Sequence, residues 1–551
     1  MSAAAKETSH PANSPSHRGW IARLIMVVML LFVVAIRLMG RMADPPKPLN
    51  DPALRNLLTL IFSFFALLTA WIWISFRSYY PPLVRRLVFV GPFAAIAIGI
   101  GTFRFVEFSG SMVPRFAPRW VADKPEKSLG KVESKTDAAP IDLASTSPDD
   151  FPQFLGPERS CWIAGPELAR DWEKKSPKLI WKRPIGAGWS AFAAVTGYAV
   201  TMEQRGQDEW ITCYEIAGGN PVWGHSIQGR HDNPMGGLGP RATPTIHNGR
   251  VYALGATGVL RCLDGATGHL LWSDDLRKRY GLSAREDEGL VQWGRSGSPL
   301  VVDKLVVVPG GGKAGKAKNL VAFDAETGSL VWESENRKED GTADQIAYAS
   351  PALAALAGRR QILTVNESTA SGHDPVSGER LWSFPWPGHS NGDASASQPV
   401  PIDDNQILLS KGYSGGAELI ELTTGSDNPP LAAESIWKNS RVLQTKFTNV
   451  VIHGGHAYGL SEGILECIEV ATGKRKWKNG RFEQGQILGV GELLLVLSED
   501  GELCLVELNP TKFNQLGSVQ VLQGKTWNNL CLYGHRLLVR NGQEAACYEL
   551  P

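Results

Sequence analysis

VYALGATGVLRCLDGATGHLLW, residues 251–272, holds most of one repeating unit of this chain. VYAL and VLRCLD alternate in the period of two expected of half-buried strands, and the GATG between them is a hairpin turn. A second GATG leads into a further short run that ends on Trp272. The closing phrase returns as ETGSLVW (326–332), VSGERLW (376–382) and ATGKRKW (471–477), with AGGNPVW (217–223) as a looser copy. The hairpin returns as AYGLSEGILECIEV (457–470) and LLVLSEDGELCLVEL (494–508).

A third phrase opens the unit, with a small or polar residue before Pro: RATP (241–244), SGSP (296–299), YASP (348–351) and SASQP (395–399). Each unit is therefore four short strands, and none can bury its faces alone. Trp181, Trp223, Trp272, Trp332, Trp382, Trp437 and Trp477 follow one another at 42, 49, 60, 50, 55 and 40 residues. That spacing is one four-stranded propeller blade per Trp, with loops of variable length. Units fall near 190–227, 241–276, 297–335, 348–386, 396–439, 446–482 and 485–522, and residues 526–550 supply about three further strands. LIWKRPI (179–185), with its unpaired Trp181, is the missing fourth, so the two ends of the domain close the ring and remove its last open edge. The reading is an all-β, eight-bladed β-propeller; seven and nine are the neighbouring counts, because the seventh unit lacks its Trp and the fifth is irregular.

The chain has 551 residues with 58 Gly and 18 Trp, a pairing that suits many tight turns between packed strands. Residues 1–150 carry 17 Lys+Arg against 11 Asp+Glu, and the remainder carries 39 against 44. A mildly acidic main domain without a basic stripe speaks against nucleic acid as a partner. The 7 cysteines are scattered, with no CxxC and no adjacent pair, and read as small buried hydrophobes.

Ahead of the repeats, residues 20–40, 56–76 and 87–103 are three apolar runs long enough to cross a ~30 Å hydrocarbon core. The first is followed by Arg41, Met42 and a Pro-rich loop instead of a small-residue cleavage site, so it reads as a retained helix. The expected organisation is a disordered 1–19, a three-helix region at 20–108, a flexible linker at 109–150 and the propeller at 151–551. With a cytoplasmic N-terminus, three crossings put the propeller outside and leave Arg77, Arg85 and Arg86 inside; the opposite loop, however, carries Arg37, Arg41, Lys47 and Arg55, so charge bias decides little.

On its ATGxxxW and YAL…GxLxxLD phrases, and on FPQFLGPERS (151–160), the chain from about 150 to 551 resembles the PQQ-binding-like β-propeller repeat proteins, also called quinoprotein-dehydrogenase-like propellers. The resemblance implies that the seven tryptophans are wedges docking one blade on the next. It also implies one of two functions. In the BamB-like branch the propeller is a non-catalytic binding scaffold of the bacterial envelope, with envelope proteins or peptides as partners. In the other branch it is a membrane-bound PQQ-dependent sugar or alcohol dehydrogenase. Those enzymes hold the quinone against a disulfide of adjacent cysteines and bind calcium through Glu, Asn and Asp. No adjacent cysteines occur here, and no such trio stands out. The expectation is thus a scaffold without cofactor, anchored in the inner membrane with its propeller on the periplasmic side, and PQQ with calcium belongs to the alternative.

Arg241, Arg295 and Tyr348 precede the small-residue–Pro steps, and are expected to line the central funnel and meet a polar ligand or peptide. GGGKAGK (310–316) fits a phosphate-loop spacing, but Ala317 and a strand-like NLVAFD follow it, so it reads as a hairpin in the third blade. HDNP (231–234) and GHSNGD (388–393) cluster His, Asp and Asn in loops; turns stabilised by side-chain to backbone bonds explain them better than a metal.

Overall fold

In the computed structural model, each repeat is an antiparallel sheet of four strands. The structure describes residues 20–40, 51–77, 80–121, 141–313, 316–338, 340–388, 394–424 and 430–551, with 42, 46, 49, 129–130 and 132. The eight sheets cover 193–228, 245–275, 300–335, 352–385, 400–439, 451–481, 486–520 and 531–549, numbered here as blades one to eight. Blade eight takes its outer strand from Lys178–Pro184, paired antiparallel to Glu544–Glu549, with Trp181 opposite Cys547. The ring closes with the strand expected from the sequence.

Every blade carries a β-bulge at the same place between its third and fourth strands, and blades three and six have a second irregularity in the same pairing. A bulge raises local twist, and here it falls beside the blade Trp and its cross-strand partner. That partner is Cys213, Cys262, Cys467 or Cys547 in four blades. All seven cysteines are buried free thiols. The Trp indole N–H donates to a backbone carbonyl of the next blade: Trp181 to Ile216, Trp223 to Gly265, Trp272 to Ala325, Trp332 to Pro375, Trp437 to Val470 and Trp477 to Asn509, at 2.7–3.2 Å. The turn glycine of the next blade lies flat on the ring. A Cβ at Gly268, whose φ is +74°, would stand 2.6 Å from Trp223.

Two blades depart from the pattern, each for a local reason. In blade four Trp382 donates within its own sheet, to Gln361 at 2.5 Å. In blade seven the Trp position is Gly517, opposite Leu505. Trp172, from the segment before the ring, fills that space: a Cβ on Gly517 would stand 2.7 Å from the Trp172 Cβ, and Trp172 is buried in the same core as Leu505. The seventh wedge is present but supplied from elsewhere in the chain.

Around the channel, the residue two before the innermost strand links four pairs of neighbouring blades. Ala191 N–H donates to the Thr243 hydroxyl, Thr243 N–H to Ser298, Ser298 N–H to Ser350, and Gln398 N–H to Asn449. Small hydrogen-bonding side chains precede Pro in the repeat because their oxygens satisfy amides that no strand pairs.

The segment FPQFLGPERS spans the end of the channel where first and second strands turn. Phe151 and Ala194 exchange both backbone bonds at 2.8 Å, Ile246 N–H donates to Pro152, and Trp162–Ile163 adds a parallel strand to blade seven. Arg159 reaches the carbonyls of Pro299 and Ser298 at 2.9 and 3.0 Å, and burial pulls its guanidinium down to about 9. Residues 141–150 also pack on the propeller: Ile141 and Leu143 are buried with Val195, Ile246 and Val251.

His373, fully buried in blade four, donates from Nδ1 to the Gly378 carbonyl at 3.1 Å, while Nε2 faces Ser371 Oγ and the Asn319 amide nitrogen at 3.0 and 2.9 Å. Burial lowers its pKa to about 4. The unfolded chain, near the ordinary value of ~6.5, therefore takes up the proton first. The resulting stability is complete above pH ~6.5 and is lost as pH falls toward 4, on the order of 3 kcal/mol in all. Urea unfolding at pH 7 and 4.5 should show that loss in the native chain and a smaller one in His373→Gln.

The second compact unit contains three helices: α1 (Trp20–Met39), α2 (Pro52–Ile72, continued by the π-turn Trp73–Arg77) and α3 (Pro82–Thr102). All three are long and apolar enough to cross a membrane. Two of them begin earlier than their apolar runs, because helix initiation follows the caps and not hydropathy. Pro52 sits at the first turn of α2 with the Asp51 carboxylate accepting from Ala53 N–H at 2.8 Å, and Pro82 opens α3. Phe32 stacks on Phe62 and Trp71 on Phe89, at 5.2 and 5.5 Å between centroids.

Candidate functional site

The channel is spanned at the strand-turn end; the opposite end is the loop face, built from the second-to-third strand turns and the loops between blades. Four residues before each innermost strand, the chain places one side chain at this loop face. In blade order these are Trp189, Arg241, Ser296, Tyr348, Ala396, Phe447, Phe482 and Trp527.

Arg241 and Tyr348 hold this position and lie near enough to act on each other electrostatically. Arg241 folds onto its own loop, donating to the carbonyls of Gly236 and Gly237 at 3.0 and 2.9 Å and to that of Gly239. Burial lowers its guanidinium to about 10 and pushes the Tyr348 phenol up to about 12, so neither changes charge near neutrality. Arg295 is one residue out of step. Ser296 occupies the equivalent place and donates to the Tyr348 carbonyl at 2.9 Å, while Arg295 is buried against Asp287 at 2.6 Å and the Gly310 carbonyl. The structure thus joins two of the three expected funnel residues and ties the third into a buried ion pair.

Four further aromatics at the same position, Trp189, Phe447, Phe482 and Trp527, escaped sequence reading, and three of them meet. Trp527 lies 5.0 Å from Trp189 and 4.9 Å from Phe447, ring to ring, bringing blades eight, one and six together. The Gln486 amide fixes two of them by donating to the carbonyls of Phe447 and Trp527, both at 2.9 Å. A signal existed: KFTN (446–449) and KTWN (525–528) each place a Lys beside the aromatic. Three lysines stand over loop-face rings, Lys525 over Trp527 at 4.1 Å and Trp189 at 5.1 Å, Lys446 over Tyr413 at 5.1 Å and Lys411 over Trp386 at 5.9 Å. Lys446 also pairs with Glu462 at 3.1 Å, both nearly inaccessible. Buried cations of this kind favour ligands carrying a carboxylate or presenting backbone carbonyls.

HDNP forms a hairpin, with the Asn233 side-chain Oδ1 accepting from Met235 and Gly236 N–H at 2.9 and 2.8 Å, the turn role expected of it. Most of GHSNGD lies outside the described residues. GGGKAGK joins two strands, Leu305–Gly311 and Lys318–Asp324, with no helix after it.

The family model described as outer membrane protein assembly factor BamB matches residues 207–479. The BamB of Moranella endobia (strain PCIT) is 21% identical over 306 residues, which is 52% of this chain and 67% of that protein. A solved BamB from Moraxella catarrhalis is 14% identical and covers 68% of this chain and 100% of its own, with a TM-score of 0.48. A europium-containing methanol dehydrogenase is 12% identical over 73% of this chain and 98% of its own, at 0.50. At these identities the solved structures are alike in fold alone.

Proposed function

We propose that this chain, whose repeats the BamB family model matches, is a membrane-anchored, non-catalytic scaffold that binds proteins or peptides on its loop face. The observation that carries this is the funnel: aromatic rings from three blades beside buried lysines, a surface made for peptide groups and carboxylates. Arg241 and Tyr348 extend it around the ring. We place the propeller outside the cytoplasm, on an inner-membrane anchor, with partners among envelope proteins under assembly.

The loop-face donors do not fit the quinone and calcium site of the dehydrogenases. Glu462 is paired with Lys446, and Glu499 accepts backbone N–H groups from Gly110 and Gln484, so the two central carboxylates are already engaged. All seven thiols are free and buried. The scaffold we propose works without PQQ.

A photo-crosslinking residue tests the face. Met235, exposed at the tip of its loop, and Val376, 77% exposed on a turn of the opposite face, are suitable sites. Crosslinks to envelope proteins are expected from position 235 and not from 376, and Arg241→Ala with Tyr348→Phe should reduce them at least fivefold at unchanged melting temperature. Crosslinks from 376 alone, or dye reduction by the protein with PQQ, calcium and a sugar or alcohol, would overturn the reading.

A further inference from the structure

Resting on the binding reading above, we propose that the funnel is a site for a peptide that runs from a strand into a turn, with a carboxylate side chain and, three residues on, a glycine, and that the chain fills it in cis with Glu107–Gly110. These four residues, EFSG, group with the propeller by contact; Glu107 and Phe108 end the strand Phe103–Phe108, and Gly110 opens the turn that follows. The Glu107 carboxylate lies 3.4 Å from the Lys525 ammonium, which also donates to the Phe108 carbonyl at 3.1 Å. Gly110 N–H donates to Glu499 Oε1 at 2.8 Å, and Glu499 Oε2 accepts from Gln484 N–H at 3.1 Å.

Each contact reads a different feature of the peptide. Lys525 has a side chain only 1% exposed, on the faces of Trp527 and Trp189. A cation so far out of water needs a counter-charge, and two ring faces supply only part of it. The carboxylate at the first position is one counter-charge within reach, at 3.4 Å. Bonds to the Phe108 carbonyl and the Gly110 amide involve backbone alone and set the register. The fourth position is selected by shape: a Cβ on Gly110 would stand 2.8 Å from the Gln484 Cβ and 3.0 Å from Glu499 Oε2. Any other residue there must move the loop.

A segment joined to its site acts at an effective concentration of about millimolar. A partner carrying the same acidic–x–x–Gly pattern must therefore displace the tether, so the funnel opens only to ligands at high local concentration or with further contacts on the face.

The test uses the full chain in detergent and a fluorescein-labelled octapeptide, FVEFSGSM, the sequence of residues 105–112. Fluorescence polarisation should show at least tenfold tighter binding to Gly110→Val, whose own segment is expelled, than to the native chain. Peptides with Gln for the Glu or Val for the Gly should bind Gly110→Val at least tenfold more weakly than the parent, and adding Lys525→Met should abolish binding. Equal binding by native and Gly110→Val proteins, or indifference to the Glu, overturns the inference. If Gly110→Val does not fold, Ser109→Cys gives a second reading, since the native thiols are all buried. Maleimide should label Cys at 109 at least tenfold more slowly than Cys at the exposed position 376, and excess unlabelled octapeptide should accelerate it. Equal rates overturn the proposal. Failure here with position-235 crosslinks intact would remove the tethered ligand and leave the scaffold reading standing.

Discussion

Replacing Lys182 and Arg183 together by proline is expected to destabilise the propeller more than the same change in the outer strand of any other blade. Lys178–Pro184 is an edge strand, so successive residues alternate between facing Glu544–Glu549 and facing solvent. One of two adjacent prolines must then remove a ladder bond and obstruct its neighbour, at about 3 kcal/mol or more. In an inner blade, say at Ser273 and Asp274, the damage stays local because covalent connections still hold both neighbours. At the seam, this pairing, with the Lys182–Glu544 ion pair at 3.0 Å, is what joins the first strand of the domain to the last, and Trp181 on it reaches Ile216 of blade one at 2.7 Å. Urea unfolding followed by tryptophan fluorescence should show the lower midpoint and a broadened transition for the seam variant. Equal midpoints for the two variants would mean that closure contributes no more than an ordinary strand.

Trp223→Ala should cost about 3–5 kcal/mol, the range for emptying a large buried aromatic site. Trp223 is 2% exposed, joins Cys213 to the second blade and donates to Gly265 at 2.9 Å. Trp223→Phe should cost less, since a ring remains while the Gly265 carbonyl loses its donor, at about 1–3 kcal/mol. Gly268→Ala provides the complementary half of a double-mutant cycle. Its left-handed backbone costs any alanine about 1–2 kcal/mol, and the new Cβ also meets the indole. In the Trp223→Ala background only the backbone part should remain. Additive costs in denaturant unfolding would show that the glycine and the ring do not share one contact.

The repeat was legible because each blade must solve the same problem with local residues. Turn glycine, alternating strand and terminal Trp lie within about twenty residues of one another, and their spacing survives loop insertions. The closing strand was legible too, since an unpaired LIWKRPI matched the one strand that blade eight lacked. The seventh blade's missing Trp leaves the blade count open from sequence. Trp172 supplies it across the core from more than three hundred residues away, a replacement that no spacing announces. The stretch 109–150 reads as a tether by composition, but Ile141 and Leu143 alone are apolar enough to seat residues 141–150 on blades one and two.

The binding face divides in the same way. Arg241 and Tyr348 could be aligned through the following Pro, which marks blades two and four plainly. Arg295 was misaligned by one residue because RSGSP offers two candidates before its Gly, and only the strand start at Leu300 separates them. Trp189, Phe447 and Trp527 precede no Pro, and they meet only because the ring brings blades one, six and eight to a common axis. By itself, then, the sequence determined the blade, its wedge, the ring closure and the three apolar helices, all set by periodic patterns that act over short range. Only the tertiary structure decided which residues face one another across the channel, because closing a ring places side chains together by radius and angle, quantities that residue spacing does not encode.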